Sequence, residues 1–218
     1  MGNKNLIVVA THLEWEGIYS GNNLPPNWDL LITGIGMVNT AFQLGRHLAL
    51  NKYQHIWNLG IAGAFDKDLP LGSLAEVRID CFPELGSLTD SGWLNLQDLG
   101  FSLMNEQGKQ IYNFLPNPTP SKTGLVSVTG LTINTITGTE SRKTELLSRF
   151  QADIETMESA AVFLACLQME VPFTCVRSIS NYVESRNTAN WKVAEALATL
   201  KCWLADILFS KNAAQEVQ

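Results

Sequence analysis

Thr156-Met157-Glu158-Ser159-Ala160-Ala161 opens a segment that runs to Met169, breaks at Val171-Pro172 and resumes as Phe173-Thr174-Cys175-Val176-Arg177-Ser178-Ile179-Ser180-Asn181. Met157, Ala160, Ala161, Leu164 and Leu167 recur at helical spacing, so Thr156–Met169 is expected as a helix with Glu158 in its first turn. The positive end of the helix dipole favours an ionised carboxylate there. Pro172, which has no N–H and clashes with a preceding helical turn, ends the segment. Phe173–Ile179 then has the length and β-branched content of a buried strand.

The same alternation extends outward in both directions. Leu6–Ala10, Leu30–Thr33, Ile56–Leu59, Leu74–Ile79 and Gly124–Val128 are short apolar runs of strand length, and Val38–Leu50 and Trp191–Phe209 have helical periodicity. Strands alternating with helices predict an α/β fold around a largely parallel, buried sheet. The stretch Asn95–Ser121, with Pro116, Pro118 and Pro120, reads as an excursion between core elements, a lid or insertion. Without repeat or linker, residues 1–218 are expected to form one domain.

Composition narrows the function classes. The chain has 218 residues, 45% apolar and 17% charged, with a formal charge of −6, which suits a globular protein. No Lys/Arg-rich run is present, which argues against nucleic acid as a partner and for a small molecule. Apolar stretches such as Ala160–Leu167 are far shorter than the roughly 20 residues that span a bilayer. Glu14 and Glu16 interrupt any signal peptide, so no membrane partner and a cytoplasmic location are expected. Cys81, Cys166, Cys175 and Cys202 lack CxxC spacing, and His12, His47 and His55 are scattered. That pattern predicts packing thiols and argues against a metal site.

Two glycine-rich turns invite a ligand. Thr33-Gly34-Ile35-Gly36-Met37-Val38-Asn39 lies between strand and helix, yet Asn39 stands where a dinucleotide fingerprint needs its third glycine, and His55–Gly60 contains no acidic residue. Gly60-Ile61-Ala62-Gly63-Ala64 follows a strand and offers close backbone approach or close packing. Neither has the Gly-Lys-Ser/Thr ending of a P-loop. Glu14 and Glu16 follow the first strand and Ser180-Asn181 ends the last. With Glu158 they supply two carboxylates and an amide, enough to grip a ribose, activate water and hydrogen-bond a base.

These residues carry a resemblance. Thr156–Ala161, Val171-Pro172-Phe173 and Val176–Asn181, together with Gly34–Asn39 and Asn58–Gly63 in the same order, resemble the signatures of the purine nucleoside phosphorylase and methylthioadenosine nucleosidase superfamily. The likeness runs from about Leu6 to Leu208. Thr129–Gly138 and Ser180–Asn187 with Trp191 resemble its futalosine hydrolase branch. That resemblance implies a three-layer α/β/α sandwich around a twisted, mostly parallel mixed sheet, a homodimer, and no metal or organic cofactor. It implies release of hypoxanthine from futalosine on a route to menaquinone.

Residue by residue, the resemblance gives Glu158 the ribose 2′- and 3′-hydroxyls, with Met157 beside the sugar. Glu14, in preference to Glu16, orients or deprotonates the attacking water. Ile133 and Asn134 fall along the base, and Ala62 and Gly63 line the sugar and water pocket. Asn181 stands where adenine-releasing relatives have an aspartate; its amide suits a 6-oxopurine better than adenine. Ile61 occupies the place of a phosphorylase hydroxyl, so water is the expected acceptor. Arg186, with Lys192 second, is the candidate cation for the carboxylated far end of the substrate. The alternatives are a methylthioadenosine/S-adenosylhomocysteine-type nucleosidase, a purine nucleoside phosphorylase and a non-catalytic nucleoside-binding protein.

Overall fold

The computed structural model describes residues 4–106 and 109–210. In chain order these form β1 (Asn5–Val9), α1 (His12–Ile18), β2 (Trp28–Ile32), α2 (Met37–Leu50), β3 (His55–Ala64) and β4 (Leu74–Cys81). Two hairpins follow, β5 (Ser87–Thr89) with β6 (Gly92–Leu94) and β7 (Met104–Glu106) with β8 (Lys109–Ile111), and then β9 (Phe114–Pro116) and β10 (Val126–Thr132). The last part holds α3 (Glu140–Arg149), β11 (Ile154–Thr156), α4 (Ser159–Gln168), β12 (Phe173–Tyr182) and α5 (Val193–Ser210).

The main sheet has the order β11-β10-β4-β12-β3-β1-β2, with β9 added to β4. Strands β2, β1, β3 and β12 run parallel, as do β4, β10 and β11, and these two groups meet antiparallel. Both faces of β1 are covered, so its sequence is apolar without alternation. Leu6 and Val8 pack in one cluster with Leu44 and Leu48 of α2 and Phe163 of α4. Ile7 and Val9 point the other way, against Leu197, Leu200 and Leu204 of α5. Two helical layers thus flank the sheet. Helix α4 is buried nearly all round, with its small residues packed close and Phe163 edge-on to Phe173, ring centroids 4.7 Å apart.

The sheet also closes on itself. One edge of β3 pairs with β1 up to Asn58 and with β11 at Gly63 and Ala64, so β3, β12, β4, β10 and β11 form a closed barrel beside the open β1–β2 wing. Closure removes exposed strand edges. Three-residue β11 was absent from the sequence-based reading, as were α1 and α3.

The stretch 95–121 is not a lid. Strand β9 joins the sheet antiparallel to β4, Leu115 is fully buried, and Asn117 Nδ2 donates to Phe173 O at 3.0 Å. These sheet and backbone bonds make its described residues around β9 a component of the wall. The Gly60–Ala64 segment is likewise the second half of β3 rather than a loop. No helix among the described residues is long and apolar enough to cross a membrane. Cys81, Cys166 and Cys175 are buried free thiols and Cys202 is exposed.

Candidate active site

A cavity of about 220 Å³ lies where the carboxyl ends of β1, β3, β10 and β12 meet the start of α4, the usual ligand position of an open α/β sheet. Glu14, Met157, Glu158 and Asn181 line it, as do Ala62, Gly63 and Ile133. These residues come from five stretches of sequence, and the polar ones each have a local reason for facing the same space.

Glu14 is fixed by the start of α1. Thr11 is the N-cap; its Oγ1 accepts the Glu14 N–H at 3.1 Å while Glu14 Oε2 accepts the Thr11 N–H at 3.2 Å, a reciprocal capping box. Oε2 also accepts the Ala10 N–H at 3.2 Å. Oε1 accepts the Ile61 N–H at 3.2 Å, at the place where β3 changes partner from β1 to β11 and that edge pairs with no strand. A Cβ on Gly60 would fall 2.8 Å from Oε1, so glycine is required there to admit the carboxylate. Glu16, by contrast, is exposed.

Glu158 is the N-cap residue of α4 rather than part of its first turn. Its Oε1 accepts the Gly36 N–H at 2.8 Å. Gly36 has φ of 90°, a backbone shape that favours glycine and aims its N–H across the site. Burial holds the Glu158 carboxyl above its ordinary range; the Gly36 N–H and Arg177 oppose that shift, and Glu14 adds to it. The helix-start location therefore does not leave Glu158 with a lowered pKa, because desolvation outweighs the backbone donors.

Arg177 supplies the missing positive charge. It is 2% exposed and donates to Ser159 Oγ at 2.8 Å, to Asn58 O at 3.3 Å and to Asn58 Oδ1. A void of about 10 Å³ bounded by Glu14, Glu158, Arg177 and Gly60 approaches the minimum space for a single water. Beneath it, Thr132 Oγ1 donates to Asp80 Oδ1 at 2.8 Å and accepts the Ala160 N–H at 2.8 Å. This anchors the start of α4 to β10, and complete burial pushes Asp80 up to about 7.

Asn181 reaches the cavity through a β-bulge. Ile179 pairs with Ala62 and Asn181 with Gly63, leaving Ser180 as the extra residue; such an insertion re-aims the side chain that follows it. Asn181 Oδ1 accepts from Ser180 Oγ at 2.8 Å and Nδ2 donates to Tyr182 O at 3.2 Å. A Cβ on Gly63 would lie 3.1 Å from Nδ2, so this glycine makes room for the amide.

The family assignment rests on sequence. Residues 117–207 match the Phosphorylase superfamily. The chain is 32% identical over 191 residues to futalosine hydrolase of Streptomyces coelicolor, covering 82% of this chain and 77% of that protein. It is 30% identical over 195 residues to futalosine hydrolase of Thermus thermophilus, covering 86% and 82%. The chain belongs to the futalosine hydrolase family. The native futalosine hydrolase structure of Helicobacter pylori superposes with a TM-score of 0.75 at 17% identity, covering 96% of this chain and 98% of that one. A 5'-methylthioadenosine/S-adenosylhomocysteine nucleosidase of the same organism gives 0.76 at 17%, covering 95% and 98%. These likenesses establish the shared fold.

Two of the expected site residues, Asn134 from the resemblance and Arg186 from its closeness in sequence to Asn181, lie outside the cavity. Asn134 is exposed beyond the end of β10, its N–H donating to Glu84 Oε2 at 3.0 Å, and it lines a separate apolar groove. The chain turns away after buried Ile133, so only Ile133 faces the site. Arg186 is exposed and its guanidinium sits over Trp191, 5.4 Å from the ring centroid. Trp191 lines the cavity, which leaves Arg186 one layer out, at the rim. Sequence reasoning missed Arg177, although its place in a buried strand marked it as a charge needing partners. It also missed Glu155, which lines the cavity from β11. Among the described residues no group of three or more His, Cys, Asp or Glu side chains is placed to hold a metal ion.

Proposed function

We propose that this protein is a purine-nucleoside N-glycosidase that hydrolyses futalosine to hypoxanthine and dehypoxanthine futalosine. The observation that carries it is the convergence of Glu14, Glu158 and Asn181 on one cavity in a member of this family. Glu158, ionised, accepts the ribose 2′- and 3′-hydroxyls through the oxygen lone pairs that Gly36 leaves open. As the C1′–N9 bond stretches toward an oxocarbenium-like state, negative charge moves onto the purine. Asn181 stabilises it by hydrogen bonding. Glu14, held by three backbone N–H groups, takes the proton from water as the oxygen adds to C1′.

Water rather than phosphate is the acceptor in this proposal because the glycine-rich stretch lining the cavity carries Ile61 where a phosphorylase has a hydroxyl, and an apolar residue offers no side-chain donor to an anion. A cytoplasmic location, a role in the futalosine route to menaquinone and assembly as a homodimer belong to the same proposal. For the dimer, the support is an exposed apolar face on which Val38 and Phe42 are 76% and 63% accessible and Ile35 and Leu85 are also exposed. A patch of this kind marks an interaction surface.

The test is incubation with futalosine, inosine and methylthioadenosine, with and without phosphate, followed by chromatography of the released base. Hypoxanthine from futalosine at a phosphate-independent rate is expected. Preferred release of adenine, or a sugar 1-phosphate product, overturns the proposal.

A further inference from the structure

Glu155 is a carboxylate that the mechanism above does not use. It is 5% exposed, lines the cavity from the centre of β11, and pairs across the barrel seam with Gly63. Its Oε1 accepts the Thr137 N–H at 3.2 Å; the Thr137 hydroxyl also helps to stabilise the carboxylate, but neither it nor Oε2 makes a well-formed hydrogen bond among the described residues. A buried oxygen without a partner is expensive in a native structure and calls for an explanation. Gly63 brings it next to Asn181: a Cβ there would lie 3.1 Å from Asn181 Nδ2 and 3.5 Å from Glu155 Cγ. The two polar side chains flank one glycine and face the same space.

We infer that Glu155 is the base-selecting residue, its Oε2 accepting the N1–H of a 6-oxopurine whose N7 and O6 edge is held by Asn181. This rests on the proposed cleavage of a 6-oxopurine nucleoside and adds the residue that chooses the base. A 6-oxopurine carries a proton on N1, which satisfies the orphan oxygen; adenine presents a lone pair there, and two acceptors repel. Rejection is strong when a site's buried polar group would stay unpaired.

Burial pushes Glu155 up to about 7; Thr137 and Arg142 of α3 work against that shift, and Glu84 after β4 adds to it. The free carboxyl is therefore substantially protonated below neutrality. Binding an N1–H donor requires the carboxylate, so base binding releases a proton in that range and affinity rises with pH until Glu155 is ionised.

The experiment is calorimetric titration of hypoxanthine and of adenine from pH 5.5 to 8 in buffers of different ionisation enthalpy, on the wild-type protein, Glu155→Gln and Glu155→Asp. Wild type is expected to prefer hypoxanthine and to release a proton on binding it. Glu155→Gln should lose about 10- to 150-fold in hypoxanthine affinity, the range for a hydrogen bond to a charged group. It should also lose the proton release and gain affinity for adenine, while Glu155→Asp keeps the preference at lower affinity. Unchanged selectivity in Glu155→Gln, hypoxanthine affinity that rises as pH falls, or no base binding by the wild type overturns the inference. The native pH dependence and proton release decide the matter even if a variant folds poorly. Futalosine cleavage with unaltered selectivity in Glu155→Gln would remove only this inference. Base selection as described without cleavage of any nucleoside would remove only the proposed function.

Discussion

Two concavities of this molecule differ in the wrong direction for anyone who ranks sites by size. The groove between α2, α4 and the β4–β5 connection encloses about 620 Å³ and is lined mainly by apolar side chains such as Met37, Phe42 and Leu164. The cavity at the strand ends encloses about 220 Å³ and gathers Glu14, Glu155, Glu158 and Asn181. In the groove, burial of apolar surface is the available gain, which suits a protein partner. In the cavity, backbone donors hold carboxylates in place at energetic cost, which suits transition-state stabilisation. Chemistry follows the desolvated polar groups rather than the volume.

The comparison is broken most directly at Glu14. Glu14→Gln should lower kcat for futalosine by about 10²- to 10⁴-fold, the usual contribution of a general base, with the protein still folded by circular dichroism. Activity within a few-fold of wild type would move water activation elsewhere. Glu158→Gln should lower kcat/KM by roughly 10- to 150-fold, because charge-assisted bonds to the ribose diol become neutral ones. In the wild type this residue shares an acid limb with Glu155, which must also be ionised to hold the base. Glu158 must be ionised to bind the diol, and burial raises it above its ordinary 4.5, so kcat/KM should begin to fall at a higher pH than for an ordinary glutamate. A limb at or below 4.5 in the pH profile would count against this assignment.

Smaller effects are expected away from the cavity. Arg186→Ala should raise KM for futalosine by a few-fold, a surface ion pair being worth about 1 kcal/mol or less, and leave KM for inosine nearly unchanged. Equal changes for both substrates would refute a role for Arg186 with the carboxylate. Phe42→Glu, in the groove, should change the oligomeric state measured by sedimentation while hydrolysis stays within several-fold of wild type. An unaltered sedimentation coefficient would argue against this face as the dimer contact.

The parts legible in the sequence are those fixed by local pattern. A buried parallel strand such as β1 is apolar on both faces and stands out, as does α4, while β12 is legible from its apolar start although Thr174, Arg177, Ser178 and Ser180 are buried along it. Helix α3 is invisible to periodicity because Leu146 is its one buried residue. Helix α1 is only 7 residues long, yet Thr11-His12-Leu13-Glu14 carries the capping-box signature that separates Glu14 from Glu16. Glu155 was beyond reach for a different reason: β11 is three residues long, and its side chain meets the cavity only because that strand closes the barrel between β10 and β3. Asn134 turns out not to line the cavity because the chain leaves the sheet after Ile133, and Arg186 stands at the rim rather than in the cavity, since sequence adjacency to a site residue says nothing about direction after a turn.

The central claim is that water attacks C1′ of a 6-oxopurine nucleoside in the cavity holding Glu14 and Glu158. The most direct measurement is a single turnover of futalosine in oxygen-18 water, with and without phosphate, read by mass spectrometry of both products. The account predicts unlabelled hypoxanthine and a sugar product carrying one oxygen-18 in both conditions. An unlabelled sugar 1-phosphate formed only when phosphate is present would contradict it.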